Sequence, residues 1–280
     1  NWRYMFSSQT APAVLFFAGL LFVPESPRWL VKRRREREAE TVLTRIGGAT
    51  YAGTEVTQIR ASFGVETTES VGDLFRPDVR HIVLLGVLIA VFSQADGQNS
   101  LFSYAPEIFA QAGMGQDTAF LQSVLLGVVN FAFTFIAIRT IDRVGRRRLL
   151  LWGAGLLAAI ATGLAVCFAV GAPAVLTLGL VMAFIATFAA TLGPVTWVAL
   201  SELFPNRIRG NAMALATLAL WLANFFTTAS FPILKENLGL PGTFLVHAGI
   251  CAVYFFLVRR RVPETKGRSL EEIEALLVRK

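Results

Sequence analysis

The chain has 280 residues, 54% hydrophobic and only 16% charged, with a mean hydropathy of +0.57. Soluble domains of this size carry roughly 25% charged residues, so a water-soluble globular fold is excluded. The formal charge of +7 would suit nucleic acid in a soluble chain, but in a membrane chain basic residues mark the cytoplasmic side.

A bilayer-spanning helix needs about 20 apolar residues. The first charge-free run, Tyr4–Pro24, supplies 21, and a span is expected over Phe6–Val23. The soluble part follows: 19 of the 45 charges fall between Glu25 and Arg80. Within it, Glu36–Ile46 and Thr54–Phe63 read as short amphipathic helices separated by Gly47-Gly48.

From His81 to Phe109 the chain is apolar again, but Gln94, Asp96, Gln98 and Asn99 interrupt it beside Gly97. This reads as a span broken by a polar, glycine-containing segment. Such a break is tolerated only where the backbone faces protein or a wet cavity. Thr118–Ile138 is the next span. The 53-residue run Leu149–Ser201 is too long for one span and turns at Gly171-Ala172-Pro173, giving Leu149–Val170 and Ala174–Leu200. Asn211–Leu234 and Thr243–Val258 complete seven. Ser269, with Glu272 three residues on, opens a capping-box pattern and a short surface helix over Ser269–Leu277.

Arg33-Arg34-Arg35, Arg146-Arg147-Arg148, Arg207 with Arg209, and Arg259-Arg260-Arg261 fall on alternate connections. The opposite connections hold one basic residue, Lys235. The arginine-rich side is expected to be cytoplasmic, which places the N-terminus outside and the C-terminus inside. A start on the outer side with neither Met nor signal peptide reads as the trailing part of a longer protein. Cys167 and Cys251 lie in apolar runs as small core residues, and the histidines, His81 and His247, have no metal-ligand spacing. No Ser-His-Asp constellation and no phosphate loop occurs, so an enzyme, a metal site and a bound cofactor are not expected.

Four strings stand at the cytoplasmic ends of spans: Pro24-Glu25-Ser26-Pro27-Arg28-Trp29-Leu30, Asp142-Arg143-Val144-Gly145-Arg146-Arg147, Ser201-Glu202-Leu203-Phe204-Pro205 with Arg209-Gly210, and Pro263-Glu264-Thr265-Lys266-Gly267. In this order and spacing the chain resembles the sugar porter family of the major facilitator superfamily. Leu192-Gly193-Pro194-Val195 and Trp221-Leu222-Ala223-Asn224 are nearest to bacterial xylose–proton symporters. The resemblance implies an all-α polytopic membrane protein with part of the major facilitator fold. Residues 1–23 would be span six of twelve, 24–80 an intracellular helical linker domain, 81–261 the six-helix C-terminal half, and 262–280 a cytoplasmic tail. The first five spans would be the missing partner of this piece.

The resemblance also implies a charge network latching an inner gate, formed by Glu25, Arg28, Asp142, Arg143, Arg146, Arg147, Glu202, Arg209 and Glu264. Plain topology anchoring by solvated charges is the alternative, favoured for the arginine triplets taken alone. For the substrate, a sugar needs amides for its hydroxyls and an aromatic platform for its ring, and polar residues inside a span are functional hypotheses by default. Ser93, Gln94, Asn99 and Tyr104 of the broken span, Asn130 of the next, Trp197 after a break at Gly193-Pro194, and Trp221 with Asn224 match the family's sugar-contacting positions. Trp197 and Trp221 also fit packing roles, Asn130 fits interhelical hydrogen bonding, and Thr134, Thr187, Thr227 and Thr228 read as backbone-bonded helix residues.

Four positions depart from the family pattern. Ser93 replaces its first glutamine, Leu220 a glutamine of the xylose symporters, Ser103 the first of two tyrosines, and Asp96 a frequent serine. Asp96 reads as a hydrated bystander at the cavity mouth, with substrate contact or a protonatable role as alternatives. The expected function is monosaccharide transport across the cell membrane by alternating access, as sugar:proton symport. Facilitated uniport and a transporter-like sugar receptor are the alternatives, and the isolated piece is expected to be inactive. The expected partners are a hexose or pentose, protons, the lipid bilayer and the missing five-helix part, with no nucleic acid.

Overall fold

The computed structural model describes residues 2–63, 71–113, 116–205 and 207–267. Two units divide the chain, Asn1–Thr68 and Glu69–Lys280.

In the first unit, α1 (Trp2–Ser8) and α2 (Thr10–Leu20) occupy the first apolar run. They are separate because Pro12 has no N–H to offer the Ser8 carbonyl four residues back. The expected single span over Phe6–Val23 is therefore two short helices, the second apolar but only 11 residues long. Three helices follow: α3 (Pro27–Lys32), α4 (Glu36–Gly47) and α5 (Ala49–Phe63). They pack around Leu30, Val31, Ala39, Leu43, Ala52 and Ile59, and Arg60 of α5 pairs with Glu36 of α4. α5 starts five residues before the expected Thr54. Gly48, at φ 87°, turns the chain in one step, and the added turn buries Ala52, a contact too small to show in an apolar pattern.

In the second unit, a 3₁₀ turn (Val71–Phe75) packs on α6 (Arg80–Ala95) and on α12 (Arg209–Arg261). Between them run α7 (Gln98–Gln111), α8 (Gln116–Val144), α9 (Arg146–Val170), α10 (Ala174–Ala190) and α11 (Leu192–Leu203). α12 lies along α9 and α6, and α10 against α8 and α9. The core is built from large rings, including Phe109, Phe184, Phe204, Phe231, Phe244 and Tyr254, each at most 2% exposed. Phe168 stacks on Phe244 at 5.7 Å and Phe92 on Tyr254 at 5.8 Å.

Among the described residues five helical stretches are long and apolar enough to cross a membrane: Arg80–Gln111, Val124–Val144, Arg146–Val170, Ala174–Leu203 and Arg209–Arg261. The last, at 1.5 Å per residue, is more than twice the ~30 Å of a bilayer core. Its helical dihedrals fail at Gly239 (φ 67°, ψ 175°), so it holds two spans. The expected connection around residues 235–242 is thus helical on both sides of one glycine. The Gly171 turn is present as a left-handed cap. The break assigned to Gly193-Pro194 instead falls at Thr191 (φ −131°, ψ −83°), which puts Pro194 in the first turn of the new helix, where its missing N–H costs no intrahelical bond. The expected helix over Ser269–Leu277 lies outside the described residues.

Candidate functional site

The broken span is the centre of the site. α6 ends at Ala95 and α7 starts at Gln98, with Gly97 in the left-handed region at φ 95°. Only glycine adopts this at no steric cost, and a Cβ here would lie 2.8 Å from the His247 ring. The Asp96 carboxylate accepts the Gln98 N–H through Oδ1 at 2.9 Å, satisfying one of the donors that a helix start leaves open. His247 Nδ1 stands 3.3 Å from the Ala95 carbonyl and donates its proton there. Across the break, Asn99 Nδ2 donates to Gln94 Oε1 at 2.6 Å.

Beside it opens a cavity of about 550 Å³ between α7 and α12, lined on one side by Asn99, Ser103 and Tyr104 and on the other by Trp221, Asn224 and Thr228 with Phe225. Tyr104 is stacked on Phe231 with ring centres 4.8 Å apart, and its hydroxyl reaches the Thr228 carbonyl at 3.5 Å. Asn224 Oδ1 accepts from the Thr228 hydroxyl at 3.4 Å. Among the described residues the lining offers amide and hydroxyl groups beside the rings of Tyr104, Trp221 and Phe225 and no carboxylate, imidazole or amine. Such a surface suits a neutral polyhydroxylated molecule.

Of the eight expected substrate residues, the cavity brings together Asn99, Tyr104, Trp221 and Asn224, and Gln94 joins through Asn99. Ser93 is buried and spends its hydroxyl on the Ala90 carbonyl at 2.8 Å. Asn130, half-buried on α8, and Trp197, 40% exposed on α11, do not line it. Leu220 points into the core, 2% exposed, so the cavity does not meet that position. Thr134 bonds the Asn130 carbonyl as expected. Thr228, expected to be a helix residue only, lines the cavity. The spacing Trp221, Asn224, Phe225, Thr228 on one helix face is the signal that could have found it.

Asp96 is not a hydrated bystander: it is 0% exposed, and its Oδ2 has no hydrogen-bond partner. It shares a lining with Phe231, Phe244 and His247 of α12 and does not line the cavity.

At the arginine-rich ends of the second unit, Arg146 is the hub. Its Nη2 meets Asp142 Oδ1 at 2.9 Å and Glu202 Oε1 at 2.8 Å. The other Glu202 oxygen accepts the Thr265 hydroxyl at 2.6 Å. Glu264 accepts the backbone N–H of Arg146 at 3.0 Å in a space kept open by Gly145, at φ 96°, where a Cβ would come within 2.8 Å of that carboxylate. Arg147 reaches the Arg259 carbonyl at 2.8 Å. Among the described residues Arg209 reaches the Phe204 carbonyl alone, at 3.3 Å, and Arg143 takes part through its carbonyl, which accepts from Lys266 Nζ. Glu25 and Arg28 belong to the first unit. Thr265 and Lys266 were passed over because neither could be matched to its partner from spacing alone.

The Sugar (and other) transporter family model matches residues 1–277. The chain is 40% identical to the arabinose-proton symporter of Bacillus subtilis, covering 100% of this chain and 60% of that one. It is 39% identical to the glucose facilitated diffusion protein of Zymomonas mobilis, covering 99% and 59%. Among solved structures it is similar to the major facilitator proton:xylose symporter XylE bound to 6-bromo-6-deoxy-D-glucose, with 38% identity, a TM-score of 0.82, and coverage of 99% of this chain and 59% of that one. The chain thus spans about three fifths of the length of the relatives it matches.

Proposed function

Since this chain belongs to the Sugar (and other) transporter family of multi-pass membrane proteins, we propose that it forms the C-terminal part of a monosaccharide transporter working by alternating access. Residues 1–23 would correspond to the sixth span, 24–80 to an intracellular linker domain, 81–261 to the C-terminal six-helix half and 262–280 to a cytoplasmic tail. The arginine-rich ends face the cytoplasm and the N-terminus the outside. The protein carries its substrate and is not an enzyme.

The observation that carries this reading is the cavity beside the helix break, lined by Asn99 from α7 and by Asn224 and Trp221 from α12. Amides there hydrogen-bond hydroxyls, and the indole covers an apolar ring face. Gln94, Ser93, Asn130 and Trp197 belong to the wider substrate path on this reading. Asp142, Arg146, Glu202 and Glu264 form a latch whose two arrangements would distinguish a closed inner face from an open one.

Sugar:proton symport is the first reading, supported by the similarity to the arabinose symporter. Facilitated uniport is the second, supported by the comparable similarity to the glucose facilitated diffusion protein. Uptake of radiolabelled arabinose, xylose and glucose into proteoliposomes containing the complete transporter, with and without an imposed pH gradient, tests both. Accumulation driven by the gradient establishes symport, and equilibration indifferent to it establishes uniport. Absence of uptake of all three sugars would sink the monosaccharide reading.

A further inference from the structure

A second polar pair lies behind the sugar cavity, on the other side of the Gly97 break. Asp96 and His247 line one narrow space whose remaining lining is Gly97, Leu101, Phe184, Phe231 and Phe244. It has no room for a water molecule. Each of the two side chains uses one polar atom on the backbone of the break: Asp96 Oδ1 takes the Gln98 N–H, and His247 Nδ1 serves the Ala95 carbonyl. Each also has one buried polar atom without a partner, Asp96 Oδ2 and His247 Nε2.

The other titratable groups near enough to Asp96 to interact with its charge are Cys251 and Tyr254 of α12. Among the described residues no arginine or lysine lines the space. An ionised carboxylate beside a neutral imidazole would leave a net negative charge in a dry apolar pocket with no counter-ion, an arrangement that proteins avoid. One added proton removes that charge, whether it sits on the carboxyl oxygen or on the imidazole nitrogen. A proton is also the one cation that needs no volume.

We propose that Asp96 and His247 form a proton-binding site within this half of the molecule, in which one or the other side chain carries a proton while α7 stays packed against α12. The proton arrives from water and returns to it when the two helices part, and no other bond is made or broken. Because the same two side chains hold the backbone on both flanks of the break, emptying the site loosens the segment that carries Gln94 and Asn99. Its use in coupling rests on the transport reading above. The proton binding itself does not.

The test reads protonation directly, without sugar, so it stands or falls separately from transport. The full-length protein in lipid nanodiscs is held near pH 7.5, about one unit above the ordinary histidine value of about 6.5. Infrared spectra report a protonated carboxyl, and nitrogen NMR of labelled histidine reports an imidazolium. The expected result is one of the two signals in the wild type, lost in Asp96→Asn or in His247→Gln respectively. If Asp96→Asn does not fold, Asp96→Glu must shift the carboxyl band instead. A carboxylate beside a neutral imidazole in the wild type overturns the proposal, as does a signal that survives the substitutions unchanged.

Discussion

Asn99 donates to Gln94 at 2.6 Å across a gap in the helix, so two amides five residues apart act as one unit. The bond leaves the Gln94 amino group and the Asn99 carbonyl oxygen to meet a ligand. A buried hydrogen bond left unmade costs about 1–3 kcal/mol. Gln94→Ala or Asn99→Ala in the complete transporter should therefore raise the half-saturating sugar concentration roughly ten- to a hundredfold. Since each substitution also frees the other amide, the double variant should be little worse than either single one. Competition by unlabelled against labelled sugar measures this, and unchanged affinity in both variants at normal expression moves the site elsewhere.

Gly97 is held twice, by its dihedrals and by the ring above it. A non-glycine residue at φ 95° costs about 1–3 kcal/mol, and its Cβ would also strike His247. Gly97→Ala should lower the thermal unfolding midpoint in detergent. His247→Ala alone should also lower it, because the Ala95 carbonyl loses its partner and a buried ring is emptied, so the comparison is made in that background: with the clash gone, adding Gly97→Ala should still lower the midpoint through the dihedral strain. No further loss would mean that the dihedral is not a constraint.

The break itself was legible in the sequence because four polar residues and a glycine stand inside an apolar run, a pattern with few physical outcomes in a membrane. The face made by Trp221 and Asn224 was legible from helical spacing. The burial of Asp96 was not: the side chains that share its space include Phe184, Phe231, Phe244 and His247, the last 151 positions later. The same holds for Thr265, whose partner Glu202 is 63 positions away. Local pattern reports which residues share a helix face, and it does not report which helix covers that face. The division of the first apolar run at Pro12 was open to the same reasoning that places Pro194 in a first helical turn.

Leu220 marks that limit from the other side. An amide at this position would enter the core, where the leucine is 2% exposed, and not the cavity. Leu220→Gln should destabilise the protein by about 1–3 kcal/mol for the unpaired amide and leave sugar preference unchanged. A gain in pentose affinity at unaltered stability would show that the α12 face turns during transport.

Outside the membrane spans, Arg207 beside Asp78 holds that carboxyl below the usual carboxylate range. A carboxyl whose pKa is lower folded than unfolded stabilises the fold above its unfolded value. The contribution disappears as pH falls through the folded value. Asp78→Asn should therefore lower the unfolding midpoint slightly near neutral pH in low salt and have no effect in acid. Because the pair faces solvent, about 1 M salt should abolish the difference. A difference that persists in salt would point to a packing role for Asp78 instead.

Arg146 is the charged side chain whose loss should separate transport from binding. It is only 14% exposed and bonds two carboxylates, Asp142 and Glu202, that come from different helices. Hydrogen bonds to charged groups contribute about 1.5–3 kcal/mol, and they hold one arrangement of the arginine-rich ends against another. The cluster lies apart from the cavity, so Arg146→Gln should slow sugar exchange roughly ten- to a hundredfold while equilibrium binding stays unchanged. Arg209→Gln should do much less, because Arg209 meets a backbone carbonyl, that of Phe204 at 3.3 Å, and no carboxylate among the described residues. Glu202→Gln should resemble Arg146→Gln in direction and be milder, since the amide oxygen can still accept from Arg146 or Thr265. Counterflow in proteoliposomes and calorimetric sugar binding on the same samples separate the two quantities. Normal exchange with collapsed binding in Arg146→Gln would remove the latch and make the cluster part of the sugar path.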